Sequence, residues 1–519
     1  RRSSHGLEFC DGSEEYNDMN NGKICVSVCA ETADETIENI KRAEEFADVV
    51  EVRFDCLRGE ELTKFQFQIT DLKFEKPLLA TFRSPEQGGQ GSATLTERRE
   101  FWSMIGNSFW AADVEEEVLD SSPNTAETVI SHHDFERVPD DLDAIFQRQS
   151  ASKAGVLKLA VKAHDIVDSI ALWKLIEKAK DAGKQIIPIA MGEAGKWTRI
   201  LGLAHGAFLT YASLDSGKET ADGQITAKDM RDVYRVKELE KNTKVYGVVG
   251  DPVSASVSPY MHNPAFAAAS VNAVFVPLHV KDLDEFVRRM VNAETREVEL
   301  NFGGFSVTMP HKQGILKHLD AIDPVAERIG AVNTVRIEDG KLTGFNTDAH
   351  GFITPLNTSF GDLRGTRVAV FGAGGAARAV VYALKEEGAD VSVFVRDPAK
   401  AADFAKDLEV NLEQMPIANR RPPTGTEIVV NATPLGMKGV LEREALFSAD
   451  ELMGVKFVYD LVTKSTDTPL VAEAKKAGVP AVGGIEMLIA QGAMQFEIWT
   501  GREAPVELMR SALLAKMNR

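Results

Sequence analysis

From residue 23 to about 235, short β-branched and apolar runs alternate with segments whose apolar positions recur every three to four residues. The runs read KICVSVC, DVVEVRFD, PLLATFR, AADVEE, ETVISHHDF, GVLKLAVK, QIIPIAM and AFLTYASL. Each is followed by helix-compatible sequence such as DIVDSIALWKLIEKAKDAGK. Eight β–α units in about 210 residues predict a closed parallel (β/α)₈ TIM barrel, with the active site where the strands end. A charged stretch, KDMRDVYRVKELEKNTK, is predicted as a helical connection. A second β–α series opens at KVYGVVGDPV, and GTRVAVFGAGGAARAVVYALKEEGADVSVFVRD opens a third region. The expected fold is α/β throughout: one barrel, then a two-domain α/β unit.

The bulk numbers narrow the partners. A chain of 519 residues is too long for one core. A formal charge of −19 argues against nucleic acid or an anionic membrane as main partner, though local Arg and Lys can still hold small anions. No apolar run is long enough for a membrane span, so a soluble protein is expected. Four cysteines (Cys10, Cys25, Cys29, Cys56) are too few for a disulfide scaffold and lack zinc-site spacing. A reducing compartment and no metal are expected. Residues 1–22 read as a disordered tail, and a start at Arg1 rather than Met suggests a processed or trimmed product.

Within the barrel runs, polar residues stand out where strands should end: Arg53, Arg83, His132 and His133. Adjacent residues of a strand face opposite sides, so one histidine at most shares a given site. Lys158 interrupts the apolar run GVLKLAVK. It either snorkels to the rim or stays desolvated, and a desolvated amine is free to attack a carbonyl as a Schiff-base nucleophile. Histidine suits the proton transfers such chemistry needs. Arg53, Arg83 and Arg199 offer the forked geometry that holds a carboxylate.

The set VEVRFD, TFR with a following GG, ISHHDF, LKLAV, TRI and ADGQIT resembles type I 3-dehydroquinate dehydratase over residues 23–235. The resemblance implies that Lys158 forms an imine with the substrate ketone and that His133, immediately before Asp134-Phe135, is the base. It implies substrate contacts for Glu51, Arg53, Arg83 and Arg199, and for Thr220 and Gln224 on a closing loop. It also exposes departures. The glutamate expected to partner the histidine is Gln87, with Glu86 one place early. The segment FWSMIGNSFWAADVEEE matches the family poorly, so Asp113 and Glu115 map onto it only loosely.

In the third region, VAVFGAGGAARAVVYAL gives a strand, a glycine turn and a helix start, Gly372-x-Gly374-x-x-Ala377. Such glycines let a pyrophosphate approach the positive helix N-terminus. Arg396, closing the next strand, favours the 2′-phosphate of NADP, and Asp397 beside it leaves NAD open.

Around that turn, SASVSPYMHN, FGGFSVTMPHK, GAVNTV, GFNTDAHG, VNATPLGM and IEMLIAQ together resemble shikimate dehydrogenase over residues 244–519. The resemblance implies a substrate carboxylate at Ser256 and Ser258 and a catalytic pair Lys312–Asp348. It implies substrate contacts at Thr308, Asn333 and Gln491, and cofactor contacts at Gly372, Ala373, Gly374, Gly375, Ala376, Arg396, Asn431, Thr433, Gly483 and Met487. Ala255, Val395 and Thr463 replace family residues. The implied layout is a dehydratase barrel at 23–235 and a substrate domain at 244–350, completed by helices at 488–519. A Rossmann NADP domain occupies 351–487.

The two activities are consecutive: 3-dehydroquinate loses water to 3-dehydroshikimate, which is reduced to shikimate. The combination resembles the bifunctional dehydratase/dehydrogenase family of aromatic amino-acid biosynthesis. An NAD-dependent quinate dehydrogenase and a catalytically inactive quinate-pathway regulator are the alternatives, and the retained Lys158, His133, Lys312 and Asp348 argue against the regulator. Oligomeric state is left open, and cytoplasm or plastid fits the compartment.

Overall fold

The computed structural model describes residue 20 and residues 22–105, 109–123, 127–415, 421–464 and 466–518. All eight expected runs form strands: β1 Lys23–Val28, β2 Val49–Arg53, β3 Leu78–Thr81, β4 Ala111–Glu115, β5 Glu127–Asp134, β6 Val156–Lys162, β7 Gln185–Met191 and β8 Leu209–Ala212. They make one parallel sheet in the order β7-β6-β5-β4-β3-β2-β1-β8. Among the described residues the barrel is near-closed, since β7 and β8 share no ladder. Phe208 N donates to Ile186 O at 2.8 Å at that seam. Beyond it, the Arg199 guanidinium donates to Tyr211 O at 3.5 Å.

Period-two alternation sets the barrel interior. Cys25, Val49, Leu79, Ala111, Val129, Val156, Ile187 and Leu209, one from each strand, share a buried apolar cluster inside it. Farther along the strands the inward positions turn polar. Helices pack their apolar faces outside: helix Ala33–Ala43, capped by Thr32, buries Ala33, Thr36, Ile40 and Ala43.

Several expectations change. The charged stretch is helical only over Ala227–Asp232, because Tyr234, Val236 and Leu239 turn inward to be buried. The expected tail lies outside the described residues apart from Asn20 and Gly22. Asn20 Nδ2 donates to Val236 O at 2.7 Å and to Leu239 O at 3.1 Å. The cysteines were read as too few for a disulfide scaffold, but Cys29 and Cys56 are bonded, tying the loops after β1 and β2.

The second sheet contains β9 Lys244–Gly250, β10 Ala273–His279, β11 Phe302–Val307, β12 Ala321–Ile322, β13 Thr334–Glu338 and β14 Lys341–Phe345, ordered β10-β9-β11-β13-β14-β12. Only β13 runs antiparallel to its neighbours. The third sheet is wholly parallel: β15 Arg367–Phe371, β16 Asp390–Val395, β17 Leu412–Gln414, β18 Ile428–Asn431, β19 Phe457–Asp460 and β20 Ala481–Gly483. Its order, β17-β16-β15-β18-β19-β20, is the 3-2-1-4-5-6 arrangement of dinucleotide-binding sheets. The C-terminal helix Val506–Met517 returns to pack on helix Ser258–Ala268 beside the second sheet. Among the described residues, no helix is long and apolar enough to cross a membrane.

That returning chain encloses His262, whose ring stacks on Phe275 at 4.6 Å and lies 5.4 Å from Trp499. Burial pushes its imidazole down to about 3, despite Gln495 beside it. Below the ordinary histidine range the unfolded chain binds a proton that the folded ring refuses. Stability is therefore lost as pH falls toward 3, at up to ~1.4 kcal/mol per pH unit. His262→Phe is expected to flatten the acid decline of the second half's melting temperature while leaving the neutral value near wild type. Melting curves across that range check this, and an unchanged slope would show that other groups control acid stability.

Candidate active sites

Register places the barrel's polar residues on one interior face. Ser131 pairs with Lys158, His133 with Ala160 and Glu115 with Ser131, so Glu115, Ser131, His133 and Lys158 all point inward. Lys158 is 4% exposed, which excludes the rim alternative. Its Nζ lies 2.7 Å from Asp113 Oδ2, 4.0 Å from Glu51 Oε1 and 4.0 Å from the centre of the Tyr211 ring. Arg83 bridges the same Asp113 oxygen at 2.8 Å, Glu115 at 3.3 Å and the Ser131 hydroxyl at 2.5 Å. Arg98 holds the other Glu115 oxygen at 2.6 Å. Burial works to raise the Asp113 carboxyl, yet the Arg83 and Lys158 charges overcome it and hold the group well below the usual carboxylate range.

Glu51 accepts from Ser27 at 2.5 Å and Thr81 at 2.8 Å. Arg53 is committed to a bidentate pair with Asp55, at 2.8 and 2.7 Å. Arg199 is different. Buried, it reaches only the carbonyls of Tyr211 and Asp222, at 3.5 and 3.4 Å, and among the described residues no carboxylate lies within ion-pair distance. Burial pushes its guanidinium down to about 10. A buried cation so placed fits an anionic ligand. Thr220 and Gln224 bond each other on the loop after β8, with Thr220 N donating to Gln224 Oε1 at 2.9 Å. Ser27, Arg53 and Thr220 also line a 220 Å³ cavity at the strand ends.

The histidine question is settled by side. His132 faces away from the interior, whereas His133 meets Gln87, whose Oε1 accepts from His133 N at 2.9 Å and lies 3.0 Å from Nδ1. An amide oxygen accepts only, so Nδ1 carries the proton and Nε2 is the free base. Burial, reinforced by Arg83 and Lys158, pushes the imidazole well below the ordinary histidine value. Glu86, the nearby carboxylate, is exposed.

The second sheet gathers another cluster at one strand end. Lys312 follows β11 and its Nζ bonds Asp348 Oδ2, at the start of helix Asp348–Ser359. Asn333 Nδ2 donates to Asp348 Oδ1 at 2.8 Å and to Thr347 at 2.9 Å, while Asn333 Oδ1 accepts from Thr347 N at 2.8 Å. Asn346 Oδ1 accepts from Asp348 N at 3.0 Å. Gln491 Oε1 lies 3.5 Å from the Thr347 hydroxyl. Ser256 and Ser258 follow β9 and Thr308 follows β11, at the same end of the sheet, with Ser256 Oγ accepting from Ser258 N at 3.4 Å.

The glycine turn of the third sheet adjoins this cluster. Gly372 has φ +111, and a Cβ there would stand 2.6 Å from Ala432 O, so no other residue fits. A Cβ at Gly374 would meet nothing, leaving an open approach to the N-terminus of helix Gly375–Glu386, whose turn also contains Ala373 and Ala376. A Cβ at Gly375 would lie 3.4 Å from Lys312 Cδ, which brings the lysine to the dinucleotide turn. Arg396 is exposed after β16. Asp397 instead caps Ala399 N at 3.2 Å. Asn431 is fully buried, its amide donating to Asp460 and Leu435 and accepting from Thr433, so it shapes the loop from beneath. Gly483 caps the helix carrying Met487, which is buried.

Arg98 and Tyr211 were not singled out from sequence, and Asp113 and Glu115 only by a loose match to the family. Alternation along AADVEE put Asp113 and Glu115 on one face, but only the neighbouring strands show that this face meets Lys158.

Family models match Type I 3-dehydroquinase at residues 24–241, the Shikimate dehydrogenase substrate binding domain at 248–335 and the Shikimate 5′-dehydrogenase C-terminal domain at 484–514. A chloroplastic bifunctional 3-dehydroquinate dehydratase/shikimate dehydrogenase of Arabidopsis thaliana is 34% identical over 514 residues, covering 93% of this chain and 83% of that protein. A shikimate dehydrogenase (NADP⁺) of Methanopyrus kandleri is 40% identical over 292 residues, 54% of this chain and 98% of that protein. A solved dehydroquinate dehydratase and shikimate dehydrogenase from S. pombe is 23% identical with TM-score 0.42, covering 95% of this chain and 98% of that one.

The Gln87–His133 pair makes a direct prediction. Gln87→Glu sets a carboxylate where an amide now accepts, which favours imidazolium and should raise the His133 pKa by about one to three units. Histidine NMR titration, with His133 identified by its loss in His133→Gln, measures this. A shift of the opposite sign would mean that Gln87 does not face the ring in solution.

Proposed function

The chain belongs to the bifunctional 3-dehydroquinate dehydratase/shikimate dehydrogenase family, and from that premise we propose how its residues divide the work. It dehydrates 3-dehydroquinate to 3-dehydroshikimate through a Schiff base and reduces that product to shikimate with NADPH. The barrel, residues 23–235, is our dehydratase. Residues 244–350 with the helices of 488–519 are the substrate domain of the dehydrogenase, and residues 351–487 its cofactor domain. Cytoplasm or a plastid is the compartment this metabolism fits.

The buried Lys158, with His133 inward on the adjoining strand, is the observation that carries the dehydratase assignment. The Lys158 amine attacks the substrate ketone, and water leaves to give a protonated imine. His133 Nε2 takes the neighbouring carbon's proton and returns it to the departing hydroxyl. Arg199, with no carboxylate within ion-pair distance among the described residues, receives the substrate carboxylate. Glu51, Arg53 and Arg83 orient the ring, and Thr220 and Gln224 close over it.

In the second site Lys312 donates the proton to the alkoxide oxygen formed on reduction, and Asp348, held by Asn333, keeps the lysine aimed. Ser256 and Ser258 bind the substrate carboxylate, with Thr308, Asn333 and Gln491 at its hydroxyls. NADPH supplies the hydride. The open Gly374 turn fits its pyrophosphate, with Gly372, Ala373, Gly375, Ala376, Thr433, Gly483 and Met487 around it and Asn431 shaping the wall. Arg396 is free for the 2′-phosphate because Asp397 is spent as a cap, which disfavours the NAD-linked alternative. Intact Lys158–Asp113 and Lys312–Asp348 pairs disfavour an inactive regulator.

Two tests follow. Borohydride added with dehydroquinate should fix an adduct on Lys158, seen by intact mass and absent from Lys158→Ala. That variant should still oxidise shikimate, while Lys312→Ala should accumulate 3-dehydroshikimate. Each lost rate should fall at least ~10²–10⁴-fold. A folded variant losing both activities equally would refute independent sites. For the cofactor, Arg396→Ala should raise the KM for NADPH about tenfold to hundredfold, the equivalent of ~1.5–3 kcal/mol, with little change for NADH. A wild type preferring NADH would reverse that assignment.

A further inference from the structure

We propose that Asp113 is a catalytic residue of the dehydratase, the fixed counter-ion that keeps the imine nitrogen on Lys158 protonated. The inference rests on Lys158 forming the imine, and it gives a chemical role to a side chain that the sequence only loosely matched to the family.

Charge balance makes the case. A lysine ammonium and a ketone give a protonated imine and one water, so one positive charge sits at Nζ before and after. Nζ begins with three N–H bonds and ends with one. Asp113 Oδ2 at 2.7 Å is the nearest carboxylate oxygen to it, whereas Glu51 Oε1 stands at 4.0 Å with Ser27 and Thr81 already bonded to that carboxylate. The remaining N–H therefore goes to Asp113. A neutral imine is a poor electron sink for the proton abstraction that His133 performs, and a nearby opposite charge favours the charged form.

The surroundings need such a group. Facing Nζ are Asp113 on β4, Glu51 on β2, Arg83 after β3, His133 on β5, Tyr211 on β8 and Cys25 on β1. Arg83 is a permanent cation bonded to the same Asp113 oxygen at 2.8 Å, so without Asp113 it would oppose a charged imine. The Tyr211 ring lies under Nζ and its hydroxyl is 3.5 Å from Asp113 Oδ2, adding support for a cation. Asp113 Oδ1, buried, accepts no hydrogen bond among the described residues. One oxygen is thus committed to fixed cations, and the other remains available to the hydroxyl of the carbinolamine that precedes the imine. Buried acceptors are ordinarily paired, and this one, on the carboxylate that holds Lys158, has no partner among the described residues.

The test is the pH dependence of dehydration by the full chain, wild type against Asp113→Asn and Asp113→Glu. Borohydride trapping is run alongside, with shikimate oxidation and circular dichroism as folding controls. Removing the charge should lower the pH at which the imine loses its proton, so the alkaline limb of kcat should appear or move down by about one to three units in Asp113→Asn. The KM should change little, and the Lys158 adduct should still be trapped near neutral pH. Asp113→Glu keeps the charge and should keep the wild-type limb even where kcat falls. An unmoved limb in folded Asp113→Asn, or a limb displaced in Asp113→Glu, overturns the counter-ion role alone. Absence of any wild-type adduct on Lys158 overturns it together with the reading it rests on.

Discussion

A lysine and an arginine, both buried, share one aspartate oxygen inside the barrel, and the first half of the molecule is arranged so that this can hold. Desolvating two cations and a carboxylate costs several kcal/mol per ion unless geometry and further hydrogen bonds offset it. Here the offsets come from separate strands: Asp113 from β4, Lys158 from β6 and Arg83 from the end of β3, with Glu115 and Arg98 behind. A parallel barrel can deliver them because its strands all point one way and alternate side chains meet at the centre. The apolar layer beneath, from Cys25 to Leu209, excludes water and strengthens each ionic contact.

The second site uses a weaker version of the same device. Lys312 and Asp348 are paired but not sealed, and Asn333 fixes the aspartate through its amide while locking Thr347 on the other side. The lysine also stands beside the dinucleotide turn, where a Cβ on Gly375 would sit at ordinary contact distance, 3.4 Å, from Lys312 Cδ.

The halves are also joined physically. Strand β10 is an edge strand, and edges with free backbone groups invite unwanted pairing. The turn Glu193–Gly195 and helix Lys196–Leu201 of the barrel pack against it. Asp165 of the barrel accepts from Lys281 N at 2.6 Å and Asp282 N at 3.1 Å, and Tyr260 donates to Asp229 at 2.7 Å. Helix Lys196–Leu201 carries Arg199, so the element that holds this buried cation also packs on the neighbouring sheet.

His133, Lys312 and Asp348 were named only through the family resemblance, whereas residue spacing by itself determined the eight barrel strands, the glycine turn and the singular place of Lys158. These depend on short-range regularities: alternation within a strand, a glycine at a forced φ, a polar residue inside an apolar run. Tertiary structure alone decided which histidine faces inward, that Gln87 rather than Glu86 meets it, and that Arg53 is tied to Asp55 while Arg199 is not. It also decided that Asp113 lies on Lys158, that Cys29 meets Cys56, and that the charged connection stops being helical at Asp232. Each of these is a contact between segments, or a local conformation chosen by burial. Strand register and core packing fix such contacts, and neither is written in the spacing of residues along any one segment.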